Sequence, residues 1–118
     1  MTEKLSSRQQ AQLAFLDQII PRLPRIYTLI ERLSTPSEVE TAGRQLARML
    51  DELKVGAAGV SISGVADAAA SMSTLARRTG DVQTRLRGLR ELFVSLKANY
   101  DGARKKASKP EEDDESGG

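Results

Sequence analysis

The chain has 118 residues, enough for one small hydrophobic core and no second one. It contains neither histidine nor cysteine, which removes imidazole bases, disulfides, thiolate nucleophiles and the usual zinc ligands. The net charge of +2 conceals an asymmetry: Glu111, Glu112, Asp113, Asp114 and Glu115 hold five of the sixteen acids, leaving residues 1–109 with eleven acids against eighteen bases, about +7.

An enzyme built from this composition would have to work with carboxylates, lysine, serine or tyrosine alone. Aromatic residues are few (Phe15, Tyr27, Phe93 and Tyr100), and the apolar content is mostly Leu, Ala, Ile and Val. Together with Arg, Glu and Gln, good helix formers, this predicts an all-α bundle rather than a β-sandwich. Met1–Gln10 is polar and no run approaches ~18 apolar residues, so neither a signal peptide nor a membrane span is expected, and a cytoplasmic location fits.

Residues 1–6 read as a flexible leader. Ser7 is a candidate cap for a helix over 8–20, with Leu13, Leu16, Ile19 and Ile20 at helical spacing. Pro21 and Pro24 interrupt the pattern, because proline lacks an amide donor and clashes with the preceding turn. A second helix then carries Leu23, Ile26, Ile30 and Leu33, with Pro24 in its first turn. Thr35-Pro36-Ser37-Glu38 has the form of a capping box, with Thr35 capping and Glu38 reaching back. Val39, Ala42, Leu46, Met49, Leu50, Leu53 and Ala57 form the next stripe, which should end on a left-handed Gly59.

After a turn, Ser63 is the candidate cap of a helix with Val65, Ala68, Ala69, Met72, Leu75 and Ala76 inward. Arg77 and Arg78 suit its negative end, and Gly80 stops it. Asp81 should cap the last helix. Val82, Leu86, Leu89, Phe93, Leu96 and Tyr100 recur in steps of four and three, a heptad seam widened by Leu92. The helix is expected to fray after Gly102, and residues 104–118 read as a disordered tail, basic and then acidic.

One stretch carries a family pattern. Asp51-Glu52-Leu53-Lys54-Val55-Gly56-Ala57-Ala58 resembles the His-x-Leu-Lys-Gly-x-Ala-Ala run of a bacterial histidine phosphotransfer (HPt) domain, with Asp51 where the phosphorylated histidine stands. Phe15-Leu16-Asp17-Gln18 is similar to the family's opening Phe-Leu-acid run. Val55 replaces the family's glycine, Gly56 comes one residue late, and Ser61 replaces a later glycine. The resemblance covers about residues 12–103. It implies a short leading helix, a bend and an antiparallel four-helix bundle over 7–103.

The resemblance also implies a function. Phosphorelay through this family needs an imidazole nitrogen, and aspartate offers none. An acyl phosphate on Asp51 would call for an acidic magnesium site, for which the acids here are not clustered. Asp51 therefore reads as an ordinary exposed helix residue, and no catalytic residue, cofactor or metal is expected. What remains is a non-catalytic adaptor that binds a receiver domain or related regulator of bacterial two-component signalling. Its expected contact surface is Arg44, Arg48, Asp51, Lys54 and Val55, a basic strip by i,i+3 and i,i+4 counting.

Two other readings stand beside this one. The chain can be a structural bundle that self-associates through the seam on 82–100. Third comes a nucleic-acid accessory protein, on the strength of Arg85, Arg87, Arg90 and Lys97. There is no helix-turn-helix signature and no aromatic platform to support it. No small-molecule substrate is expected.

Overall fold

A computed structural model describes residues 4–110, and its regular structure is helical with no strand among the described residues. The helices are α1 (Ser7–Ile19), α2 (Arg22–Arg32), α3 (Val39–Gly59), α4 (Ser63–Ala76) and α5 (Val82–Ala107). Helix α2 packs on α3, α3 on α4, α4 on α5, and α5 back on α2, while α1 lies against α2, α3 and α5. No helix among the described residues is long and apolar enough to cross a membrane.

The core is built from the expected stripes. Leu16 and Ile19 of α1 and Leu23, Ile26 and Ile30 of α2 are buried with Leu46, Leu50 and Leu53 of α3. Val65, Ala69 and Met72 of α4 and Leu86, Leu89, Phe93, Leu96 and Tyr100 of α5 complete the same cluster. The heptad seam of α5 is thereby used inside the chain and is not open to a second copy. Ile20, expected to face inward on the first helix, is instead the residue that closes α1 and is exposed.

Three helix starts depart from the sequence reading, and that of α5 keeps to it. Ser6, not Ser7, caps α1: its hydroxyl accepts from the Gln9 amide (3.0 Å) and Gln9 Oε1 accepts from the Ser6 amide (2.9 Å), a complete capping box. The leader therefore ends earlier than residue 6, and residues 1–3 lie outside the described residues. Thr35 makes no side-chain cap, because Pro36–Glu38 forms a 3-10 turn and Glu38 faces Arg32 at 3.7 Å. Ser63 is the first residue of α4 rather than its cap. Asp81 caps α5 as expected, accepting from the Gln83 amide (3.0 Å) and the Thr84 hydroxyl (2.6 Å).

The α3–α4 corner is turned by a serine instead of Gly59. Ser61 has φ 63°, its amide donates to Ala58 O (3.1 Å), and the Ile62 amide donates to Ala57 O (2.9 Å). These two bonds make a Schellman motif with serine in the left-handed position. Ile62 is buried just beyond it and anchors the reversal in the core.

Helix α5 runs past Gly102 to Ala107, so residues 104–107 are not tail. Arg104, Lys105 and Lys106 sit in its last turn, where cations suit the exposed carbonyls. Ala107 is buried, and buried Gln9 of α1 donates to the carbonyls of Lys106 (3.5 Å) and Lys109. The start of α1 thus satisfies the open end of α5. The acidic run 111–115 lies outside the described residues.

Candidate functional site

The sequence-derived site centres on Asp51, in the middle of α3. Helix α3 presents Leu46, Leu50 and Leu53 to the core, which turns Arg44, Arg48 and Asp51 towards its flank with α4. There Asp51 is not an ordinary exposed residue. The Ser73 hydroxyl of α4 donates to its Oδ1 (2.6 Å), and Arg77 donates to both carboxylate oxygens, with Nη1 at 3.2 Å from Oδ1. Arg77 also donates to Ser73 Oγ. Ser73 is one of the two buried polar residues among the described ones, and this three-way cluster satisfies it.

The electrostatic consequence follows. Hydrogen bonds from Arg77 and then Ser73 pull the Asp51 carboxyl down to about 2, against partial desolvation, and the charges of Arg77 and Lys54 add to the effect. Arg77 is raised in turn by its bond to Asp51. Asp51 is held ionised and doubly ligated, so its oxygens are committed to the α3–α4 contact.

Beside this cluster lies an open groove of about 930 Å³ between α3, the end of α4 and the start of α5. Five arginines line it, Arg44, Arg48, Arg77, Arg78 and Arg85, against the carboxylates of Glu40, Asp51 and Glu52. Five of these eight charges are paired: Asp51 with Arg77, Arg44 with Glu40 in a loose i,i+4 contact at 3.9 Å, and Glu52 with Arg22 of α2 at 3.8 Å. Arg85 is folded inward: its Nη1 donates to the Arg78 carbonyl, and its Nε is buried without an acceptor. Arg48 and Arg78 make no ion pair among the described residues and present their forks to solvent.

No family model, curated protein or solved structure matches the chain.

Of the five residues expected at the site, the fold gathers Arg44, Arg48 and Asp51 in one groove. Lys54 and Val55 lie outside its lining, both exposed, and Val55 leaves 67% of its surface to solvent. Gly56, displaced by one residue from the family's glycine, has an internal job: a Cβ there would run into the ring of Phe15 from α1. The sequence reading missed Ser73 entirely and took Arg77, Arg78 and Arg85 for helix-end and surface charges. No group of His, Cys, Asp or Glu among the described residues is placed to hold a metal ion. Guanidinium forks on an open groove suit carboxylate or phosphate groups of a partner.

Proposed function

We propose that this chain is an antiparallel four-helix bundle of the histidine phosphotransfer type, with α1 leading and α2–α5 forming the bundle. Support comes from the closed order of contacts, α2 to α3 to α4 to α5 and back to α2. Pairings across neighbours run in opposite directions: Arg22 with Glu52 and Arg32 with Glu38, Leu75 with Gly88 and Asn99 with Gly64, Tyr27 with Phe93 and Glu31 with Arg90. Connections of a few residues between amphipathic helices favour that arrangement.

On this fold the chain acts as a non-catalytic adaptor for an acidic signalling partner, a receiver domain or related regulator. The observation that carries the reading is the arginine-lined groove on α3, at the level where the resemblance puts the reactive side chain. In place of histidine stands Asp51, engaged by Arg77 and Ser73. The partner's carboxylates would meet Arg44, Arg48 and Arg78, a contact in which charge sets selectivity and encounter rate.

The test is a binding screen of the purified chain against receiver domains of its own organism at two salt concentrations. A selective partner should appear whose affinity falls with salt and drops about tenfold in Arg48→Glu or Arg44→Glu. A partner bound equally well by both variants removes this groove from consideration.

A further inference from the structure

Away from the arginine groove, α2 and α5 leave a second, apolar one. It has a volume of about 510 Å³ and is lined by Ile20, Leu23, Pro24, Tyr27, Phe93 and Tyr100, with Lys97 and Asp101 on its α5 edge. Three of the chain's four aromatic residues meet here. Tyr27 lies 5.6 Å from Phe93, ring centre to ring centre, in a tilted pair. Tyr27 and Ile20 leave 48% and 49% of their surfaces open, two of the four large apolar side chains so exposed among the described residues. A third, Val94, lies outside the lining but shares the α5 face of Lys97 and Asp101 by i,i+3 and i,i+7 spacing.

The surroundings are polar. Glu31 and Arg90 join α2 to α5 through two hydrogen bonds (2.6 and 2.8 Å) on one side, and Arg104 binds Asp17 (2.6 Å) on the other. An aromatic centre inside a charged rim is the anatomy of a protein interface. Phe93 and Tyr100 are buried members of the core and floor the groove, and Tyr27 is its open aromatic ring.

The two charges on the edge decide what covers it. Lys97 and Asp101 stand one helical turn apart, with opposite sign, and neither has a partner among the described residues. Crossing two antiparallel copies of α5 near residue 99 sets Lys97 of each against Asp101 of the other. Under a twofold axis the pattern is complementary to itself, which is the condition an isologous contact must meet.

We propose that the α2–α5 groove is a self-association face, covered by the same face of a second copy of this chain. Tyr27, Ile20 and Val94 supply the apolar centre, and two reciprocal Lys97–Asp101 pairs set the register. The face lies on the flank of the heptad helix, while the seam itself stays in the core. It leaves the arginine groove of each copy free, so it stands or falls independently of the adaptor reading.

The experiment is sedimentation equilibrium on the full chain from micromolar to millimolar concentration, with three charge variants. The wild type should show a monomer–dimer equilibrium. Lys97→Asp and Asp101→Lys each place like charges across the axis and should weaken the dimer about tenfold. Combining the two exchanges the charges and should restore the wild-type constant. Both positions are exposed, so circular dichroism should show the same helix content throughout. A chain that stays monomeric at the top of the range overturns the proposal. So does a dimer indifferent to the single variants, or one that the double variant fails to rescue.

Discussion

At the scale of single residues, Asp51 shows how a position that the sequence marks as functional becomes structural. Its carboxylate joins α3 to buried Ser73 of α4 and to Arg77, which closes that helix. Because its folded pKa is lowered, its contribution to stability is complete above the ordinary value of 3.8. It is lost as pH falls towards about 2. Carbon-detected NMR titration should find Asp51 near that lower value, and Arg77→Gln should move it back towards 3.8. Asp51→Asn should cost about 1 kcal/mol at neutral pH, discounted for its partial exposure, with the difference closing in acid. Two glycines provide the contrasting case. Gly102 lies in α5 with nothing near the place a Cβ would occupy, whereas at Gly56 the ring of Phe15 fills that place. Gly102→Ala should therefore stabilise by about 0.5–1 kcal/mol in urea unfolding. Gly56→Ala should destabilise, because the displaced ring loses its packing.

At the scale of elements, the helices were legible and their ends only in part: Asp81 caps α5 and α3 stops at Gly59 as expected, whereas the caps of α1 and α4 fall elsewhere. Periodicity is a sum over many residues, so the stripes of α2, α3, α4 and α5 survive the loss of any one position. A cap depends on one or two side chains. Ser6-Ser7 followed by Gln9-Gln10 offers two equivalent capping boxes. The choice falls to Ser6 because Gln9 also reaches the carbonyls that end α5. The same long-range contact explains why α5 continues past Gly102 over a stretch that has little apolar content of its own. At the α3–α4 corner, glycine was expected and Ser61 takes the left-handed conformation. The flanking Schellman bonds and buried Ile62 hold it there. Ser61→Gly should raise stability by about 1 kcal/mol, seen as a higher melting temperature without change in the spectrum. An unchanged or lower melting temperature would mean that the corner carries no conformational strain.

At the scale of the whole molecule, an all-helical fold with one core was readable from composition and spacing. The site was readable only in part. Arg44, Arg48 and Asp51 share a helix, so i,i+3 and i,i+4 counting brought them together before any tertiary information. Ser73 and Arg77 come from another helix, and a serine gives no periodic signal. Register was the available clue. Asp51 lies as many residues before the corner at Ile62 as Ser73 lies after it, so a tight reversal there sets them opposite. The heptad on α5 was real, yet its occupant was this chain's own core. What such a helix offers to a second copy is its flank, where Lys97, Asp101 and Val94 are exposed.

The proposed adaptor role requires an acidic signalling partner to dock on the arginine groove of α3. Its most direct test is chemical-shift mapping of the isotope-labelled chain against the best-binding receiver domain, with backbone amides and arginine Nε groups followed together. Perturbations should gather on Arg44, Arg48, Asp51, Arg77 and Arg78, and should fade as salt is raised. Perturbations confined to the α2–α5 face, or none from any receiver domain at saturating concentration, would contradict it.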